Sequence, residues 1–529
     1  MRKISLLCLL ALALPLAVFA QREFTPVHGN CMSDDVEVGT IGHRAGRLKL
    51  PTPKTDWNPE REYRQMVILM EFADSVFRYT DDAHAFYDSL FNERGFNKGF
   101  GVGCVADYYR DQSEGRFNLK FDVYGPYKVS KKAQPIENPT GNTQNYGKES
   151  FVEATKLMLA ENSDIDFSVY DWNGDMFVDQ IIYVYASYPG NLGAKTYGFT
   201  WPSTGLYSTI SLSNGYKVSN YSSSGELWPT KSLISCGLGT ICHEFTHSLG
   251  LPDIYPTNNT DDFSVCDEWD LMDGGNYTNY GWCPPNYTPV EKWLMGWLNF
   301  TDLDEPTSVV DMKPVADGGE VYRIKHSETE WLLLENRQQR GWDKGMPGSG
   351  LVIYHVQYDR SAWSSNTLNN NKNKRRFELV HADNMDYDAW NDYLVANNLG
   401  TYVNSKRMNS RLLSSSPYPW TIDIDSTTFV NDSLTENSVP APKMNNVNEQ
   451  GDSLLRKSIT NIRVSEDGLI SFDFMGGDSI PDAIVTTQTS GRKQDAGIYD
   501  LRGRRLKTMQ GKGVFIRRNE DGTMRKYFK

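Results

Sequence analysis

A chain of 529 residues is longer than one hydrophobic core usually supports, so roughly two to four domains are expected. Its content of 39% hydrophobic, 23% charged and 12% aromatic residues excludes a largely disordered chain, and a formal net charge of -13 argues against a nucleic-acid partner. The charge is uneven: residues 492–529 carry +8, leaving -21 on the first 491.

The chain opens with MRKISLLCLLALALPLAVFAQ, a short basic start, an apolar run and small residues before Gln21. That is the pattern of a secretory signal peptide cut after Ala20, and the run is too short for a transmembrane anchor. Without Cys8 six cysteines remain: Cys31, Cys104, Cys236, Cys242, Cys266 and Cys283. An exported chain permits disulfides among them, in fifteen pairings that sequence does not choose between, and no CxxC pair suggests a zinc knuckle. Residues 21–60 read as a linker or short pro-segment. Its Cys31 is a candidate thiolate block on a metal, with a disulfide or plain thiol as the simpler state.

Tyr63–Phe72 (YRQMVILMEF) is expected as a buried strand, and CVADYYRDQSEGRFNLKFDVYG as a helix passing into a strand. Ser150–Asn162 has helical spacing, and Asp179–Ser187 (DQIIYVYAS) reads as another buried strand. Just before it, DWNGDMFVD places Asp171, Asn173, Asp175 and Asp179 at alternating positions, with the Phe177 carbonyl available. Such oxygen spacing suits calcium in a structural role. It departs from an EF-hand, because Met176 stands where glycine makes the sharp turn and Ile182 where a bidentate glutamate belongs. An Asx-rich turn without metal is the plain alternative.

The chemistry concentrates in CHEFTHSLGLPDIY. On a helix His243 and His247, four residues apart, share a face and suit one zinc ion. Glu244, about 100° round the axis, is placed to act as a general base on a metal-held water. Gly250 is a natural helix stop, after which Asp253 can swing back as third ligand and leave one position open, as a catalytic site requires. A surface helix with solvated histidines is the plain alternative. EWDLMDGG follows, and Met272 in its turn is a candidate apolar floor beneath the metal, as in metzincins. PVEKWLMGWL is again helical in spacing. From about Asn299 EVYRIKH, EWLLLENRQ, GLVIYHVQY and RFELVHAD form an all-β pattern, NTLNNNKNKRR reads as a polar loop, and ITNIRVSEDGLISFDF as a hairpin. His355 and His381 read as core histidines, and Glu335 with Asp343 as an ion-pair group rather than a second cation site.

HEFTHSLGLPDIY, WDLMDGG and PVEKWLMGW resemble the secreted bacterial metallopeptidases of the immune inhibitor A type. The likeness extends from about Tyr63 to His381. It implies His243, His247 and Asp253 as zinc ligands, Glu244 as base and Met272 as the Met-turn residue. Thr246 departs from the family's usual glycine and is expected to be tolerated. Tyr277 is the nearest candidate for stabilising the transition state, with Tyr255 and Tyr280 competing. The last fifty residues, GIYDLRGRRL then KGVFIRRNEDGTMRKYFK, resemble the C-terminal sorting modules of Bacteroidetes type IX secretion cargo.

The expected protein is α+β. Its segments are a signal peptide (1–20), a linker or pro-segment (21–60), a metzincin-like zinc metallopeptidase catalytic domain (61–300), a β-rich companion (301–478) and a small C-terminal β-sandwich module (479–529). The expected activity is secreted zinc endopeptidase, cutting protein or peptide substrates through a zinc-bound water activated by Glu244. Secretion machinery is an implied partner. The rivals are a catalytically inactive surface binding protein or adhesin on the same fold, and a carbohydrate-binding surface protein.

Overall fold

The computed structural model describes residues 57–133, 147–192, 200–229, 232–258, 265–396, 413–424 and 427–477, with four short stretches between 497 and 528. The expected signal peptide, Cys31 and residues 478–496 and 519–523 lie outside the described residues.

The first sheet has the order β2-β1-β3-β5-β4. Its strands are β1 (Glu62–Glu71), β2 (Asn118–Lys128), β3 (Ile181–Tyr185), β4 (Thr204–Ser211) and β5 (Lys217–Gly225). β1 pairs in parallel with β2 and β3, and β3 with β5, while β4 runs antiparallel to β5 at the edge. Parallel strands covered on both faces need continuous apolar runs, and Met66–Met70 supply one with no exposure. Alternation then divides the run. Met66, Ile68 and Met70 pack with Phe151, Ala154 and Met158 of a helix on one face. Val67 and Leu69 pack on the other face with three helices. The helices are α1 (Ala83–Asn92), α2 (Val105–Gln112), α3 (Gly147–Glu161) and α4 (Gly239–Leu249). α3 covers the first face, and α1, α2 and α4 the second. Each aliphatic or aromatic side chain so buried contributes about 1.5–3 kcal/mol.

After α5 (Pro289–Leu294) the chain becomes β-rich. β6 (Thr301–Asp302), β8 (Tyr322–Ser327), β9 (Glu330–Arg337), β10 (Gly350–Gln357) and β11 (Phe377–Leu379) form a sheet of order β11-β10-β9-β8-β6. β7 (Thr307–Met312) pairs with the expected hairpin β14 (Ile459–Val464) and β15 (Ile470–Phe474), and β12 (Trp420–Ile424) with β13 (Thr427–Asn431). β9 and β10 are buried at every position. Leu333, Val352 and Tyr354 join the core of the first unit, and Leu332, Leu334 and Ile353 join the core beneath β15. Apolar packing therefore runs continuously across residue 300.

The all-β expectation for this half needs correction, because α6 (Arg360–Ser364) and α7 (Tyr387–Ala396) interrupt it. Asp359 caps α6 by accepting from the Ser361 and Ala362 amides, and the helix buries Trp363. His355 and His381 are buried and partnered as expected. His381 Nδ1 lies 2.8 Å from Ser416 Oγ. Burial alone would lower the pKa of His355, but Glu330, 2.8 Å away, and Glu378 push it up to about 9. Of the cysteines permitted to pair, Cys104, Cys236, Cys242, Cys266 and Cys283 are free and buried. Burial raises their thiols, that of Cys104 to about 12.

At the C-terminus β16 (Gly497–Asp500), β17 (Arg505–Leu506), β18 (Val514–Arg518) and β19 (Met524–Phe528) form one antiparallel sheet of order β17-β16-β18-β19. Among the described residues it is a single layer rather than the two of a sandwich. No helix among the described residues is long and apolar enough to cross a membrane.

Candidate metal centre

α4 enters the site through small residues. A Cβ on Gly239 would stand 2.1 Å from the Asn276 carbonyl, so the helix can lie this close only with glycine there. It ends at Gly250, whose φ of +111° lets its amide bond to the His247 and Thr246 carbonyls. The reversal brings the Leu251 carbonyl back over the helix, where His247 Nδ1 donates to it at 2.8 Å. His243 Nδ1 donates to the Leu271 carbonyl, also at 2.8 Å. Both bonds fix the tautomer and leave each Nε2 as a lone-pair donor to a metal.

The two rings lie 4.8 Å apart, nearly perpendicular at 86°. Asp253 Oδ1 stands 3.3 Å from His243 Nε2 and 3.2 Å from His247 Nε2. All three side chains are buried, and none of these three atoms has a hydrogen-bond partner. Leaving such atoms buried and unpaired is costly, and a cation removes the cost. Donors about 2.0–2.1 Å from a tetrahedral zinc stand about 3.3 Å apart, which matches the two distances from Asp253, and the three atoms all lie within 4.8 Å of one another. Among the described residues this is the one group of three metal-ligating side chains gathered so closely.

Glu244 is fully buried beside this group, and its Oε2 accepts from Thr204 Oγ1 at 3.1 Å. Thr204 opens the edge strand β4, and its single hydroxyl hydrogen is shared between Oε2 and the Glu244 carbonyl, 2.5 Å away. Thr246 turns towards α2. Its hydroxyl meets Tyr109 at 3.1 Å and also Tyr287, which gives the extra side chain partners in place of glycine. Met272 is fully buried, its amide donating to Asp270 Oδ1. Its carbonyl accepts from the Ile254 amide at 2.9 Å. The turn therefore braces His243 through Leu271 and the Asp253 loop through Ile254.

Sequence reading missed several supporting groups. Asn366, 113 residues beyond Asp253, donates from Nδ2 to Asp253 Oδ2 at 2.8 Å and accepts the Asp253 amide at 2.7 Å. Below the turn lie the buried acids Asp270 and Glu291, both raised by burial, Glu291 to about 7. Thr204 was missed as well. A polar residue with a long-range partner leaves no periodic trace in the sequence.

The Tyr277 hydroxyl accepts from Asn191 at 2.7 Å, and its ring meets Trp228 edge-on. Tyr255 is buried, and Tyr280 has a φ of +60°. In the acidic loop Asp171 accepts from the Gly174, Asp175 and Met176 amides, Asn173 from Asp175, and Asp175 from Phe177. Asp179 accepts from the Trp172 amide at 2.6 Å. Met176 takes the left-handed turn itself, at φ +68°. Glu335 and Asp343 flank Arg337, the ion-pair arrangement expected from sequence.

Residues 59–292 match the family model described as immune inhibitor A peptidase M6, catalytic domain. The pre-pro-metalloprotease PrtV of Vibrio cholerae serotype O1 (strain M66-2) is 22% identical over 337 residues, 55% of this chain and 36% of its own length. Immune inhibitor A of Bacillus thuringiensis subsp. alesti is 23% identical over 293 residues, 46% of this chain and 42% of its own length. The chain thus spans well under half the length of these curated relatives. Residues 59–292 are thus similar to the catalytic domain of immune inhibitor A peptidases, and the relatives that align with this chain include metalloproteases.

Proposed function

We propose that the protein is an exported zinc endopeptidase. The observation that carries this reading is the meeting of three buried, unpaired donor atoms from His243, His247 and Asp253, with the buried Glu244 one residue along the same helix from His243. Zinc held there would supply Lewis acidity, lowering the pKa of a water towards about 7 and polarising the scissile carbonyl. Glu244 then takes the proton of the attacking water and delivers it to the leaving amine. Thr204 keeps that carboxylate in place by donating to its Oε2. The Leu271 and Leu251 carbonyls keep both imidazoles in the tautomer that presents Nε2. The mainly parallel sheet with an antiparallel edge and the buried Met272 turn favour a metzincin-like arrangement. Tyr277 remains the first tyrosine to test as a transition-state stabiliser.

The N-terminal leader and the basic C-terminal sheet favour export through a type IX-like route, with the sheet as sorting module. Calcium at Asp171, Asn173, Asp175, Phe177 and Asp179 would brace the loop before β3. Retention of Glu244 disfavours the binding-protein rival, for which the base has no use. The test is degradation of casein by the purified protein before and after treatment with a zinc chelator. Hydrolysis should stop on chelation and return on adding zinc. Chelator-resistant hydrolysis, or zinc binding with no cleavage of any peptide library, counts against the proposal.

A further inference from the structure

We propose that Asn366 is a positioning residue for Asp253, so that the β-rich half of the chain completes the metal site. The inference rests on His243, His247 and Asp253 being the ligands. Asp253 lies three residues past Gly250 in a segment without helix or strand, so no regular backbone pattern fixes its carboxylate. Asn366 does so from across the fold. Its carboxamide donates to Asp253 Oδ2 at 2.8 Å and accepts the Asp253 amide at 2.7 Å, which holds Oδ2 aside and leaves Oδ1 towards the imidazoles. Only an amide offers donor and acceptor together at this size, since an aspartate lacks the donor and a leucine lacks both.

Neighbouring asparagines extend the grip. Asn369 Nδ2 donates to the Ile254 carbonyl at 2.7 Å, and its Oδ1 accepts from the Arg376 amide at 2.8 Å. Asn370 Oδ1 accepts from the Thr257 amide at 2.7 Å, and its carbonyl accepts from Asn258 Nδ2 at 2.9 Å. Asn366 adopts φ +55°, a left-handed conformation that asparagine tolerates better than most residues. The stretch that reads as a solvated polar loop is therefore a clamp on the ligand loop. It lies outside residues 59–292, so the matched catalytic domain does not contain it.

The test measures zinc Kd by chelator competition, and the melting temperature of the metal-free protein, on full-length chains. Asn366→Gly removes the carboxamide and suits the left-handed backbone. It should raise the zinc Kd by about 10–100-fold while binding the same amount of zinc at saturation. Leu332→Ala opens a cavity in the core beneath β15 and touches no residue of the ligand loop. It should lower the melting temperature and leave the zinc Kd near the parent's. Should the glycine variant not fold, Asn366→Gln places the amide one methylene too far and should weaken zinc in the same direction. An unchanged Kd in the Asn366 variant overturns the proposal. So does weakening in Asn366→Gly and Leu332→Ala alike, in proportion to lost stability. Zinc retained undiminished by His243→Ala would instead show that the ligand assignment beneath the proposal has failed.

Discussion

Glu244→Ala should lower kcat/KM on an unfolded protein substrate by about 100- to 10,000-fold, the usual contribution of a positioned general base. The variant should keep its zinc and its melting temperature. Glu244 is not among the three converging donors, so its removal leaves the metal's ligands intact. The helix that carries it is held by other contacts, including Ile241, Cys242, Phe245 and Leu249 in the core and the Gly250 stop. What disappears is the proton acceptor, together with the partner of the Thr204 hydroxyl. Steady-state kinetics beside metal analysis separates the outcomes. A variant with the parent's rate would mean that the proton goes elsewhere, and a variant that has lost zinc would mean that Glu244 serves the metal rather than the chemistry.

Arg337→Met should destabilise the protein by about 3–5 kcal/mol, read from denaturant unfolding, because it leaves buried carboxylates without their main cation. Arg337 is 1% exposed. Its guanidinium donates to Asp343 at 3.0 and 2.6 Å, to Glu335 at 3.4 Å and to the Asn286 carbonyl at 3.2 Å. Asn286 precedes α5 and Asp343 follows β9, so the group fastens the two halves of the chain where their apolar core is continuous. The nearby Lys292 is itself buried, and burial lowers its pKa, so it cannot fully replace the lost charge. Replacing the arginine and both acids together with apolar residues should cost far less, since the penalty lies in the unpaired charges rather than in the loss of the ion pairs. A loss below about 1 kcal/mol for the single variant would place the network at a solvated position, which its burial contradicts.

What the sequence disclosed depended on the range of the forces involved. β1 was legible because a two-sided parallel strand requires an apolar run, and Met66–Met70 is one. The shared face of His243 and His247 followed from helical geometry. The return of Asp253 followed from Gly250, and the left-handed φ there is what turns the chain back. Contacts between distant segments were not legible. Asparagine is a common turn former, so NTLNNN read as a polar loop, although its Asn369 is fully buried against the ligand loop. Thr204 gave no signal, because one hydroxyl at a strand start resembles any other until α4 is packed against it. The same holds for Asp270 and Glu291, whose burial, visible only once the chain is folded, raises both, Glu291 to about 7. The change in pattern near residue 300 was visible as a switch to alternating strands. The fusion of cores across it was not, because it depends on which face of β9 and β10 meets the first unit.

The measurement closest to the centre of this account is the zinc content of the purified protein after dialysis, compared with a variant lacking all three donors, His243→Ala/His247→Ala/Asp253→Ala. The account predicts about one zinc per parent chain, as a buried set of three protein ligands should retain, and essentially none in the variant. Equal zinc in the two proteins, or none in the parent at saturating zinc, would contradict it.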